Sequence, residues 1–172
     1  ITCRDWSSDV CSSDLTKISF YEDTYSLYNL YRFAHYYEEA YGKYIWLKSG
    51  ASLVIEHTEA MTVIDVNTGS VLKKKKQEDT LFYQINREAA KEIARQLRLR
   101  NISGIIMIDF INMKDTAQKE KLLSLLDSEC KKDRVHCNVI DMTALNLVEM
   151  TRSKVRKPLH EQIRSCMKNN RS

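Results

Sequence analysis

Apolar residues along this chain fall into short runs separated by polar punctuation, and the spacing changes from segment to segment. Between about Thr24 and Tyr41, Leu27, Leu30, Tyr31, Ala34, His35 and Tyr37 recur near i, i+3, i+4 intervals. That period predicts one helix, ended by Gly42. Most of the tyrosines fall on this segment, and packing is the simpler reading of them than base stacking. Two β-prone runs follow, Leu53-Val54-Ile55 and Met61-Thr62-Val63-Ile64, with His57-Thr58-Glu59-Ala60 between them. A polar connector of that length predicts a β-hairpin. Asn86 is placed to cap a helix running to about Leu99, with Ala89, Ala90, Ile93, Ala94 and Leu97 on one stripe.

Asn101-Ile102-Ser103-Gly104 closes that helix and opens an apolar strand, Gly104-Ile105-Ile106-Met107-Ile108-Asp109. A leucine-rich helix over 114–132, a strand from Val135 to Ile140 and a short helix from Ala144 to Met150 complete the pattern, before a basic tail. The fold class predicted is α/β: a mixed sheet with a β-hairpin followed by strand–helix alternation and parallel crossovers.

A chain of 172 residues can form one domain with a proper core, or one domain and part of another. No apolar run approaches the ~18 residues that read as a membrane span, and no basic start leads into an apolar stretch as in a signal peptide. Both absences point to a cytoplasmic protein. Net charge is +4, unevenly placed. From Thr151 to Ser172, seven basic residues face one acid, a local +6 that leaves −2 for everything before it. Such clustering is a better pointer to nucleic acid than the overall charge. The five cysteines are odd in number and irregular in spacing, so no disulfide framework is expected, and Cys130 and Cys137 read as ordinary semi-buried thiols. The first fifteen residues contain the near-duplication Ser7-Ser8-Asp9 and Ser12-Ser13-Asp14 and follow neither helical nor strand period. They resemble translated sequencing-adapter sequence and are set aside, which implies that the natural chain continues upstream.

Two aspartates carry the candidate chemistry. Asp65 and Asp109 each lie at the end of an apolar strand, directly after an isoleucine. A carboxylate at the end of a buried strand loses hydration unless something compensates it. Ligands gather at the carboxyl ends of strands in open α/β sheets. The 44-residue separation, about one helix and two loops, suits neighbouring strands. Asn67 lies two residues after Asp65 and so shares its face, where its amide can orient the carboxylate or a water. Either aspartate alone could equally be a turn former or a helix cap. Together they suit a hard divalent cation.

The wording of these segments goes further. Residues 44–157 closely resemble the catalytic subdomain of the bacterial RNase E/G family of endoribonucleases. The matching runs include Ile45-Trp46-Leu47-Lys48-Ser49-Gly50, Thr58 to Gly69, Glu92 to Arg100, Ile108-Asp109-Phe110 and Val148-Glu149-Met150-Thr151-Arg152. The resemblance implies a DNase I-like subdomain over 44–157, preceded over 16–43 by the end of an RNase H-like subdomain and followed over 158–172 by a basic tail with a degenerate zinc-link. It implies that Asp65 and Asp109 hold a catalytic Mg²⁺, that Asn67 supports them, and that the substrate is single-stranded RNA, cut during RNA processing and decay to leave a downstream 5′-phosphate.

The chain also departs from the family. Set against the family, the upstream RNA-binding OB-fold and 5′-end sensor are expected to be lacking here, and with them much of substrate capture. The family's Cys-Pro-x-Cys zinc-link is reduced to Cys166, with Met167 after it and Asn169 at the second cysteine's place. One cysteine per protomer gives two of the four ligands zinc needs, so structural zinc is not expected, nor is the family's homo-oligomer. Lys73–Lys76 are either a solvated loop or a phosphate contact. Arg152–Lys157 are either RNA phosphate contacts or a solvated helix end, and Arg134 and His136 are weaker candidates for touching substrate. The alternative to a truncated Mg²⁺-dependent endoribonuclease is a non-catalytic RNA-binding remnant or an inactive gene fragment. A serine or cysteine hydrolase is excluded, since neither a Gly-x-Ser-x-Gly elbow nor a plausible Cys/His pair occurs.

Overall fold

A computed structural model describes residues 20–69 and 78–169. Residues 1–15, Lys73–Lys76 and the last three residues of the basic tail lie outside the described residues. The chain divides into two compact units, Ile1–His35 and Tyr36–Ser172. The described part of the first holds α1 (Leu27–Leu30) and the beginning of α2 (Phe33–Tyr41). The expected single helix is thus two. Arg32 adopts a positive φ of 50°, a conformation that ends an α-helix. Its amide donates to Asn29 O, and the chain restarts one residue later. The tyrosines of this segment are not packed as expected: Tyr25, Tyr28, Tyr31, Tyr36, Tyr37 and Tyr41 are all exposed.

The second unit is built on a six-stranded mixed sheet. Its strands are β1 (Tyr44–Trp46), β2 (Ser52–His57), β3 (Met61–Asn67), β4 (Gly104–Asp109), β5 (Cys137–Met142) and β6 (Leu147–Arg152). The spatial order is β1-β2-β3-β4-β6-β5. Among the described residues only β3 and β4 run parallel; every other pairing is antiparallel. A parallel pair needs a long crossover, and α3 (Glu78–Leu99) lies in it. α4 (Thr116–Cys130) joins β4 to β5, with Asp115 capping its first turn by accepting from the Ala117 amide at 2.9 Å. The strands alternate as a one-sided sheet should. Ile64 and Val66, Ile106 and Ile108, and Val148 and Met150 turn into one core with Ile85, Ala89, Ala90, Ile93, Ala94 and Leu97 of α3 and Leu122 and Leu126 of α4. Burying each Ile or Leu contributes about 1.5–3 kcal/mol. The opposite face, with Val63, Asp65, Asn67, Met107, Asp109 and Glu149, is exposed or half-buried.

Two expectations need correction. The expected helix Ala144–Met150 is instead a turn leading into β6. Asn146 takes a φ of 63°, and the Thr143 hydroxyl accepts from the Leu145 and Leu147 amides. Ala, Leu, Glu and Met favour helix, but Val148, Met150 and Arg152 are buried in alternation with half-buried neighbours. Burial at period two outweighed local propensity. This hairpin puts an antiparallel strand beside β4, where a further parallel crossover was expected.

Asn86, expected to cap α3, sits two turns inside it and is fully buried. Its side chain donates to Ile111 O (2.8 Å) and accepts from Ile111 N (3.1 Å), fixing the chain just after β4. Asn86→Leu would leave both half-buried backbone groups of Ile111 without their partner. It should lower stability by about 2–3 kcal/mol, read as a shifted urea midpoint at unchanged slope.

The final helix α5 (Leu159–Asn169) begins after Pro158, whose carbonyl accepts from the Glu161 and Gln162 amides. It meets β2 through two stacked imidazoles, His57 and His160, with ring centroids 3.8 Å apart. His57 Nδ1 also bonds Thr62 Oγ1 at 3.0 Å. Burial pushes the His57 pKa down to about 4, helped by the positive neighbours His160, Arg100 and Arg164 and opposed by Glu161. A neutral folded imidazole and a protonating unfolded one make stability fall as pH drops from about 6.5 to about 4. Because the ring is only half-buried, the loss should be about 1–2 kcal/mol after solvent screening. His57→Gln should flatten that part of a Tm-versus-pH curve, and an unchanged slope would refute the assignment.

Candidate active site

The β3–β4 ladder brings the two aspartates together. Asp65 and Asp109 are Cα partners across the parallel pair, at the carboxyl ends of both strands. Adjacent strands lie ~4.8 Å apart, and directly paired residues share a face. The register is fixed by the core side of the same strands. Ile64 pairs with Ile108 and Thr62 with Ile106, all buried, so a one-residue slip would expose them and bury the carboxylates.

Asn67 Nδ2 donates to Asp65 Oδ2 at 2.7 Å, as the shared face predicts. That bond fixes the Asp65 rotamer while leaving the other oxygen free of Asn67. Asp65 is half-buried and Asp109 exposed. The Asp109 carboxyl is nevertheless held above its usual range, first by partial burial and then by the Asp65 charge. Two carboxylates on adjacent strands repel each other, and a cation between them would remove that repulsion.

Among the described residues, no cluster of three or more His, Cys, Asp or Glu is placed to hold a metal. The donor set is therefore two carboxylates with an amide behind one of them. That fits Mg²⁺, which takes one or two carboxylates and keeps several waters, better than zinc, which needs more nitrogen or sulfur ligands.

The loops around the pair are fastened from α3. Asn86 holds Ile111, two residues beyond Asp109. The Glu88 carboxylate accepts from the backbone amides of Lys48 (2.7 Å) and Ser49 (3.3 Å), fixing the β1–β2 turn. After Asn67 the chain passes close to that turn at Gly69, whose φ is 57°. A Cβ there would stand 2.8 Å from Gly50 O, so only glycine fits. The pattern of residues missed Asn86 and Glu88 as supports. The available signal was Asn86's place beside Ile85 and Ala89 on the apolar face of α3.

The other candidates separate from the pair. Arg152 pairs with Gly104, at the end of the β4–β6 ladder away from Asp109. It is buried, with its guanidinium on Asp133 (3.0 Å), Asn101 (2.9 Å) and Ile102 O (2.9 Å). It is a core ion-pair partner rather than a phosphate contact. Lys154, Arg156 and Lys157 are exposed. Arg134 and His136 are exposed in the α4–β5 connection, and Cys166 lies on α5. No helix among the described residues is long and apolar enough to cross a membrane.

Comparison with known proteins places the chain in a family. The family model for the Ribonuclease E/G family matches residues 2–155. Ribonuclease G of Escherichia coli (strain K12) is 38% identical over 155 residues, covering 90% of this chain and 32% of that protein. Ribonuclease G of Haemophilus influenzae is 42% identical over 143 residues, covering 83% and 29%. Ribonuclease E of Nostoc sp. is 35% identical over 158 residues, covering 92% and 23%. The chain thus spans about a third or less of the length of these relatives. With a family model matching residues 2–155, most of its length, the chain belongs to the Ribonuclease E/G family.

Proposed function

We propose that this chain carries the catalytic centre of a Mg²⁺-dependent endoribonuclease that hydrolyses phosphodiester bonds of single-stranded RNA in RNA processing and decay. The observation that carries the reading is the Asp65–Asp109 pairing across β3 and β4, with Asn67 bonded to Asp65. The names of the relatives, Ribonuclease G and Ribonuclease E, support RNA as the substrate.

In this reading Asp65 and Asp109 hold the cation, and Asn67 keeps Asp65 in one rotamer. Bound Mg²⁺ supplies Lewis acidity and neutralises charge building on the phosphoryl oxygens. Asn67 and Asp109 are exposed, so substrate can reach the pair, and the fastened loops at Ile111 and Lys48–Ser49 keep the geometry fixed before it arrives.

The test is incubation of the purified chain with 5′-monophosphorylated single-stranded RNA, with Mg²⁺ or with EDTA. Internal cleavage that needs Mg²⁺ and leaves a downstream 5′-phosphate is expected. Absence of cleavage, or cleavage that persists in EDTA, would overturn the reading.

A further inference from the structure

At the far end of the sheet from the aspartates lies a second site with different chemistry. β4 and β6 pair from Asp109–Leu147 at one end to Gly104–Arg152 at the other. Five residue steps of strand separate the two ends, ~17 Å. Beyond the Arg152 end opens a cavity of about 520 Å³, walled by the end of α3, the α4–β5 connection and the start of α5. Its lining is cationic: Arg98, Lys132, Arg134, Arg152 and Arg156, with Asp133 the one acid among them.

The charges do not cancel locally. Asp133 is already neutralised by Arg152, and both side chains are nearly inaccessible to solvent. Lys132 is paired with Glu129 at 2.7 Å. Arg98 gives one N–H to Glu129 O, a neutral acceptor, and shares the Asp133 charge with Arg152. Arg134 and Arg156 are exposed, and neither side chain has a hydrogen-bond or ion-pair partner among the described residues. Arg134 and Arg156 therefore line the cavity with no carboxylate to meet them, and the one acid beside them already faces Arg152 and Arg98.

The scaffold behind them is rigid. Asn101, in a left-handed conformation with φ 48°, accepts from Arg152 and donates to the carbonyls of Arg156 and Lys157. One half-buried amide thus ties the β6–α5 connection to the end of α3 and holds Arg156 at the rim. Gathering like charges on a fixed frame is unfavourable unless an anion meets them. Guanidinium forks suit phosphate oxygens in particular.

We propose that this cavity is a phosphate-binding site for the RNA backbone, separate from the aspartate pair, in which Arg134 and Arg156 make the principal contacts and Arg98 adds to the field. It rests on the reading of RNA as substrate. Its role is capture: it holds the strand through sequence-independent phosphate contacts. It takes no part in bond cleavage.

The test reads binding alone. Fluorescence anisotropy of a labelled single-stranded RNA in EDTA, with the full chain, should give a Kd that rises about 3- to 10-fold for Arg134→Gln or Arg156→Gln. The double variant should also lower the slope of log K against log salt by about 1.4, the value for two phosphate contacts on a single strand. Lys121→Gln, an exposed charge on the middle of α4, is the control for bulk charge and should leave Kd within twofold. Circular dichroism of both arginine variants should match the parent, because neither side chain is buried. Excess inorganic phosphate is the arm for a small-anion site. If it displaces RNA from the parent at concentrations that leave the double variant's residual binding untouched, the cavity takes the RNA's phosphates; if it binds there without displacing RNA, the RNA assignment is wrong. Arginine variants no weaker than the lysine control, or a parent with no RNA affinity, would also overturn the proposal. Failure of the catalytic reading is distinguishable, since Mg²⁺-dependent cleavage can be absent while the arginine effects on binding persist.

Discussion

Asp109→Asn should lower Mg²⁺-dependent RNA cleavage by about 10²–10³-fold or more while leaving the fold intact. The substitution keeps shape and hydrogen-bonding reach, so the β3–β4 register and the Ile64–Ile108 contact beneath it are undisturbed. It removes one of the two negative charges that would face the cation. The folded state should if anything gain, because the Asp109 carboxyl is destabilised by partial burial and by Asp65. An unchanged or slightly raised Tm together with lost cleavage is therefore the expected pair of results. Asp65→Asn should lose activity on the same scale. Asn67→Ala acts only through Asp65, so a smaller loss is expected, about 10- to 100-fold and partly recovered by raising Mg²⁺. Wild-type rates in both aspartate variants would mean that the paired carboxylates are not the catalytic centre.

That the two aspartates face each other could be expected from the chain but not read from it. Each ends an apolar run, and alternation puts Asn67 on Asp65's face; both follow from period two along a single strand. The pairing of β3 with β4 in parallel, at a register that opposes Asp65 to Asp109, depends on how α3 packs across the sheet. The stripe Ala89, Ala90, Ile93, Ala94, Leu97 was legible because helical period and burial agree there. Where the two signals disagreed, propensity misled. Ala144–Met150 is rich in helix formers, yet Val148, Met150 and Arg152 alternate into the core. Missing that strand had a second consequence: Arg152 looked like the first cation of a basic tail. Its burial follows directly from its place in the alternation. Asn86 was misread for a related reason. Polar residues before an apolar stripe usually cap, and only the tertiary fold shows that this one satisfies Ile111 inside the core.

Arg152 is where that misreading has the largest energetic consequence. Arg152→Met keeps much of the side chain's apolar length but leaves the Asp133 carboxylate without its counter-ion in a site that is 7% exposed. Asn101 Oδ1 and Ile102 O lose their donor at the same time. Breaking a buried pair from one side costs about 3–5 kcal/mol, more than the pair itself contributes over an apolar replacement. The pH dependence gives an independent check. Burial alone would raise the Asp133 pKa, but the Val135 amide, the Arg152 guanidinium and, last, the Arg98 charge outweigh it and hold it below the ordinary value. In the parent, that contribution is complete above the unfolded carboxylate pKa of ~3.9 and is lost as pH falls through the lower folded value. In Arg152→Met the folded pKa should rise, because burial is then opposed only by the Val135 amide and the Arg98 charge. The variant's penalty should then be relieved as pH falls toward the unfolded value. Urea denaturation should accordingly show a gap between parent and variant that is widest near pH 7 and narrows toward pH 4. Adding Asp133→Leu to Arg152→Met should recover most of the loss at pH 7, since no unpaired carboxylate remains. A single variant within 1 kcal/mol of the parent, or a gap independent of pH, would show that Arg152 is not a buried counter-ion in solution. It would also remove the frame on which Arg156 and the far cavity are held.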